Sequence, residues 1–252
     1  MSGLTAADYA DTGQWRLIVN IYQTGMTAFL ENTLHADLDP ELLFSSEWEQ
    51  NEETLLSHIE NAVYDHPRVL DDFSAKIIVY DPHTLFIPTS IMEDTEGIEE
   101  TFYTSVYKVE PQDIMTDTER DVTALFSPAS GLKGFLSRTF PGAKVECHLM
   151  AQIRQLKSSA QEGGLFVTVR EGESDFILFK EGELYSASTH PTLNENDVVY
   201  HSLNIVDTYG LNVYVISVTV SGDYDDEKLR EAFSRFISLE QLSVNKRSEH
   251  KA

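Results

Sequence analysis

Cysteine is almost missing from this chain: Cys147 is the only one in 252 residues. An intramolecular disulfide is impossible, and a thiolate zinc site lacks its ligands. Long apolar runs are missing too, and no stretch approaches the ~20 residues that span a bilayer. Residues 1–8 carry neither the basic cluster nor the apolar run of a secretory signal. The expected location is the cytoplasm. Basic residues are scarce and unevenly placed. Residues 1–126 hold 25 acids and five bases, whereas residues 127–252 hold 17 acids and 13 bases. The net charge of −24 repels phosphate backbones and anionic membranes. Nucleic acid is therefore excluded as a partner of the first half, and a protein partner of unspecified identity is left.

Catalytic signatures are equally sparse. There is no His-Glu-x-x-His, His-x-His or Gly-x-Ser-x-Gly. Gly131-Leu-Lys-Gly134 lacks the end of a phosphate-binding P-loop. Ser221-Gly-Asp-Tyr-Asp-Asp-Glu227 matches a calcium loop in composition but not in spacing. Acids capping a helix explain it. His83, His190 and His201 read as surface or capping residues, and Cys147 beside His148 as a buried thiol whose strand neighbour points the other way.

What is present is an ordinary globular composition, 41% hydrophobic and 24% charged, enough for a full core. Residues 15–34 form two β-rich runs around Gln23-Thr24-Gly25, where Gly25 supplies a positive φ. A helix is expected over 50–64, strands over 75–80, 85–91 and 101–109, and a strand over 121–126. A helix over 128–139, a strand over 143–147 and a helix over 148–160 follow, the last broken by Gly163-Gly164. Residues 165–190 then repeat the opening as three strands, the last over 183–189, with turns at Glu171-Gly172 and Glu181-Gly182. A helix over 194–209 capped by Gly210, a strand over 211–220 and a helix over 225–237 complete the chain before a polar, frayed end.

This double pattern of strand, glycine turn, strand, turn, strand and helix resembles the actin-like ATPase (ribonuclease H-like) fold of sugar kinases, heat-shock chaperones and pilus-assembly proteins. The run Leu165-Phe-Val-Thr-Val-Arg170-Glu-Gly-Glu-Ser-Asp-Phe-Ile-Leu-Phe-Lys180 looks like that superfamily's second phosphate loop. More narrowly, the chain resembles a bacterial family of unknown function of about this length assigned the same fold. Thr84-Leu-Phe-Ile-Pro88, the His148 region after Phe140-Pro141, and Glu195-Asn-Asp-Val-Val-Tyr-His-Ser-Leu203 carry that likeness. The resemblance implies an α/β protein of mixed sheets in two actin-like subdomains, 1–127 and 128–252.

The superfamily's nucleotide cleft uses two Asp-x-Gly loops, whose acids hold Mg²⁺, and a Gly-Gly turn at the adenosine. The matching runs depart from this. Asn20 stands where the first acid is expected and Tyr22 where its glycine is. Thr168 and Arg170 do the same in the second loop, with Glu171 and Glu173 adding negative charge. Val220-Ser221-Gly222-Asp223 carries one glycine where two are usual. The implied cleft candidates are Gln23, Thr24, Gly25, Arg170, Gly172, Ser174, Asp175, Ser221 and Gly222, with no catalytic or metal-binding residue assigned. An exposed, solvated turn is the plain expectation for Arg170. The reading is a non-catalytic scaffold or interaction protein with degenerate phosphate loops and no cofactor. The alternative is a divergent kinase or ATP-dependent switch using ATP and Mg²⁺ through Gln23, Thr24, Ser174 and Asp175. In that case Asp175 reaches the cleft by the loop folding back.

Overall fold

The computed structural model describes residues 11–35, 38–49, 54–94, 97–108, 114–156 and 163–246. The chain divides into two compact units, residues 1–151 and 152–252.

The first unit opens with β1 (Trp15–Ile21), β2 (Gly25–Asn32) and β3 (Glu41–Glu47). Alternation in β1 buries Trp15, Leu17, Val19 and Ile21, as a half-buried strand requires. Helix α1 (Leu55–Asp65) is started by Thr54, whose hydroxyl accepts from Ser57 N at 3.2 Å. β4 (Ala75–Tyr80), β5 (Thr84–Pro88), α2 (Thr89–Asp94), α3 (Ile98–Val106), β6 (Met115–Glu119) and β7 (Val122–Phe126) follow. Then come α4 (Leu132–Thr139), β8 (Lys144–Cys147) and α5 (His148–Gln155), which runs past the division into the second unit. The main sheet has the order β3-β2-β1-β4-β8; β5, β7 and β6 form a separate antiparallel sheet. β1 and β2 pair antiparallel, whereas β4 joins β1 and β8 joins β4 in parallel.

The second unit contains β9 (Gly164–Arg170), β10 (Glu173–Lys180), β11 (Glu183–Pro191), α6 (Glu195–Thr208), β12 (Val218–Gly222), α7 (Asp226–Ser234) and β13 (Leu242–Lys246). Its sheet order is β11-β10-β9-β12-β13, with β9–β10–β11 antiparallel and β9–β12–β13 parallel. This repeats the first sheet strand for strand. Phe176 and Leu178 of β10 join Leu165, Val167 and Val220 in a core completed by Val199 and Val206 of α6 and Phe233 of α7. Each such side chain contributes roughly 1.5–3 kcal/mol when fully buried. Glu181 (φ 55°) and Gly182 (φ 85°) both take the left-handed conformation of the tight β10–β11 turn. Asn194 caps α6 and Asp225 caps α7 through their side chains, and Gly210 (φ 62°) ends α6.

Several expectations are revised. Residues 101–109 were expected to form a strand; residues 101–106 lie in α3, and 109 is outside the described residues. Glu99 and Glu100 favour the first helical turn, and the Thr104 hydroxyl bonds back to the Glu100 carbonyl at 2.6 Å. Tyr103 anchors the helix, donating to the His83 carbonyl at 2.8 Å and accepting from Ser127 N at 3.1 Å. The strand expected over 211–220 begins only at Val218. Asn212 accepts the Tyr214 amide on its side chain and the Val215 and Ile216 amides on its carbonyl, which curls 212–216 into a turn. The strand over 85–91 stops at Pro88, and the helix over 128–139 starts at Leu132, after left-handed Gly131. β3 and β6 lay outside the sequence reading. His148 begins a helix, so strand alternation does not govern it; Cys147 is buried, with its sulfur accepting from Met150 N at 3.3 Å. The start of the helix expected at 50, the end of the one over 148–160 and the polar terminus after 246 fall outside the described residues. The first sheet takes β8 as its fifth strand, and the chain divides compactly after Ala151.

Gly25 corrects a local expectation. It lacks a positive φ; glycine is needed there because a Cβ would sit 2.9 Å from the Ser46 carbonyl oxygen. Among the described residues, no helix is long and apolar enough to cross a membrane.

Candidate functional site

The centre of the second unit's sheet carries a buried polar network. Thr168 on β9 stands opposite Asp175 on β10. β10 is covered on both faces from Ser174 to Phe179, so the Asp175 carboxylate has no exposure. A bare carboxylate in such a place is very unfavourable. Here three donors meet it. Arg170 Nη2 lies 2.8 Å from Oδ1, the Thr189 hydroxyl donates to Oδ1 at 2.7 Å, and Gln152 Nε2 donates to Oδ2 at 2.6 Å. Thr168 extends the chain by donating to Gln152 Oε1 at 3.1 Å, and the Ser221 hydroxyl sits 3.4 Å from that of Thr168.

Arg170 is not the solvated turn residue expected from sequence. It ends β9 with its side chain 18% exposed, and its fork also reaches Glu173 through Nη1 at 3.0 Å. Glu173 therefore balances Arg170 locally. Asp175 lies within a strand rather than on a loop able to fold back. Ser174 points the opposite way and shares a 2.7 Å hydrogen bond with Thr192. Gly172 (φ 77°) shapes the β9–β10 turn, and its carbonyl accepts from Thr192 N at 3.0 Å. Gly222 (φ 113°) permits close strand approach: a Cβ there would lie 2.0 Å from the Val169 carbonyl oxygen. Of the second-loop and β12 candidates, Arg170, Asp175 and Ser221 thus share one network. Gly172 and Gly222 shape backbone, and Ser174 belongs to a separate contact.

Gln23, Thr24 and Gly25 form the corresponding turn of the first unit. It is tied down by Trp48, whose indole N–H donates to the Gln23 carbonyl at 2.9 Å and whose amide donates to the Thr24 carbonyl at 3.0 Å. Asn20 donates to Thr27 at 3.3 Å across β1 and β2. Tyr80 closes the end of β4. Burial chiefly raises its pKa, opposed by hydrogen bonding with the Ala129 backbone and the Gln23 side chain. The next residue, Asp81, pairs with His148 Nδ1 at 2.8 Å, both largely buried. His190 and His201, expected as separate surface residues, stack with centroids 4.5 Å apart.

Sequence reasoning did not single out Gln152, Thr189, Trp48 or the Asp81–His148 pair. Thr189 becomes visible only through the β10–β11 register, which sets it opposite Asp175. Gln152 has no sequence signal; a glutamine on a short helix looks like any surface residue.

The structure is similar to several solved ones. A Bacteroides thetaiotaomicron protein with actin-like ATPase fold and unknown function matches with a TM-score of 0.81 at 17% identity, covering 96% of this chain and 94% of the other. The ethanolamine utilization protein EutJ from Carboxydothermus hydrogenoformans matches with a TM-score of 0.51 at 9% identity, covering 91% and 84%. A chain of a PilM–PilN type IV pilus biogenesis complex is similar at a TM-score of 0.47 and 12% identity, covering 91% and 90%. No curated protein matches the sequence significantly. The two mixed sheets with their helices are thus the two subdomains of an actin-like ATPase fold. The sequence profile described as "Protein of unknown function (DUF3822)" matches residues 10–239, and the chain belongs to that family.

Proposed function

We propose that this protein is a non-catalytic scaffold or interaction protein that keeps the actin-like ATPase architecture without using a magnesium nucleotide. The single observation carrying this reading is the saturation of Asp175. Its two oxygens accept from Arg170, Thr189 and Gln152, inside a strand with no exposure. The arrangement is a poor fit for a metal–phosphate group. Thr168 occupies the place of the loop acid, the nearest guanidinium is held by Asp175 and Glu173, and Glu173 adds charge that repels phosphate. The first turn supports the same reading, because Trp48 takes the carbonyls of Gln23 and Thr24 and Asn20 is engaged with Thr27. The cytoplasm is the proposed setting, with another protein as partner.

Isothermal titration with Mg-ATP and Mg-ADP, paired with a phosphate-release assay, tests the proposal. The expected result is no micromolar binding and no turnover. Micromolar affinity together with turnover overturns it.

One feature favours the alternative of an ATP- and Mg²⁺-dependent kinase or switch: Asp175 is a carboxylate beside the second loop. If that reading holds, Asp175→Asn removes any nucleotide effect that the unaltered protein displays. If the effect survives the substitution, the alternative fails.

A further inference from the structure

We propose that the outer edge of β3 is a docking strand for an extended, basic segment of a partner protein. β3 is the last strand of the first sheet, paired only with β2. Among the described residues, the backbone of Leu42–Ser46 makes no hydrogen bond outside that ladder. Alternate amides and carbonyls of an edge strand point outward, ready to continue the sheet. Leu43 is bulged between the Phe29–Leu42 and Ala28–Phe44 pairs, and the strand runs in regular register from Phe44 to Glu47.

Natural sheets block such edges with charged side chains, proline, bulges or cover; on β3 the bulge at Leu43 and the preceding Pro40 lie at the Glu41 end and leave Phe44–Glu47 regular. β3 has no lysine, arginine or proline from Glu41 to Glu47, and Leu42 is 45% exposed. On β11, the matching edge strand of the second unit, Lys180 of β10 lies 5.4 Å over the Tyr185 ring and Tyr209 packs edge-on against that ring.

Charge identifies the occupant. From residue 17 to residue 67 there is no lysine or arginine, against ten acids. Glu41 and Glu47 bound the strand, with Asp39 and Glu49 just beyond its ends. Leu34 and Leu38, both exposed, add apolar surface in the β2–β3 connection. A segment alternating basic and apolar residues complements this edge by main-chain pairing and by charge. A second copy of the chain would set two acidic edges side by side, which repel. This inference goes beyond the non-catalytic reading and stands even if nucleotide binds.

The test uses an acetylated, amidated peptide of alternating lysine and valine, as long as β3, titrated into the full chain. Controls are the same peptide with glutamate for lysine, and one N-methylated at alternate residues to remove outward amides. Expected is saturable binding of the lysine peptide at least about tenfold tighter than either control. Leu42→Lys and Ser45→Lys, with circular dichroism unchanged, weaken it by a similar factor, whereas Tyr185→Lys on β11 does not. No binding, equal binding of lysine and glutamate peptides, indifference to N-methylation, or indifference to both β3 substitutions overturns the proposal. A dimer seen by sedimentation and broken by Ser45→Lys also overturns it, by making a second copy the occupant.

Discussion

Asp81 and Asp223 occupy the same place in the two units: each follows a parallel strand, and each donates its amide at 3.1 Å to the carbonyl of a first-strand residue, Ile21 and Val169 respectively. The same registration sets Asn20 opposite Thr27 and Thr168 opposite Asp175. The two facing pairs differ in burial and charge. Asn20 and Thr27 are partly buried and neutral, whereas Asp175 is fully buried and needs a guanidinium. Several outcomes can be stated from these contacts.

Arg170→Ala should destabilise the protein by roughly 3–5 kcal/mol, the typical effect of stranding one member of a buried pair. Replacing both residues, as Arg170→Met with Asp175→Leu, should be milder than Arg170→Ala alone. Urea unfolding of Arg170→Met, Asp175→Leu and the double variant gives the coupling directly. A double variant as unstable as the sum of the singles would contradict the network assigned to Asp175.

Gly222→Ala should be far more damaging than Gly172→Ala. The added methyl group would meet Val169 backbone at 2.0 Å, where nothing flexible can yield. At Gly172 the space is open, and only the left-handed conformation is penalised, by about 1–2 kcal/mol. Thermal melts of both variants test the ranking, which equal losses would refute.

Tyr103→Phe removes one hydroxyl from two partly buried hydrogen bonds, to the His83 carbonyl and from the Ser127 amide. A loss of about 0.5–1.5 kcal/mol for each hydrogen bond is expected, because water can reach the partly buried partners. In the intact protein, burial raises the Tyr103 pKa to about 12. Ultraviolet titration should therefore find a tyrosine ionising well above the ordinary value near 10 that disappears in Tyr103→Phe.

His190 should make stability fall on acidification. Burial first, and then the stacked His201, push its pKa below the ordinary 6.5. Between the folded value and 6.5 the unfolded chain binds more protons, so this contribution is complete above 6.5 and is lost as pH falls through the folded value. His190→Asn should flatten the dependence of the urea midpoint on pH in that window. An unchanged slope, or a His190 imidazole titrating at 6.5 or above by NMR, would count against the assigned environment.

The fold was legible where local chemistry and tertiary demand agree. The Glu181-Gly182 turn, Asn194 and Asp225 as caps, and the two hairpin meanders are short-range features. Backbone conformation and nearest neighbours suffice to specify them. Where the two demands diverge, sequence reading failed. The β-branched residues around Tyr103 suggest a strand, yet its hydroxyl anchors a helix to segments some twenty residues away in sequence.

By itself the sequence determined the duplicated α/β pattern, the acidic first half and the exclusion of an intramolecular disulfide. Those follow from residue identity and short-range periodicity. Only the tertiary structure decided that Arg170 is paired, that Asp175 is enclosed by Gln152 and Thr189, and that β3 is an edge strand paired only with β2. Each depends on strand order and register, which bring together residues whose separation along the chain carries no local signal.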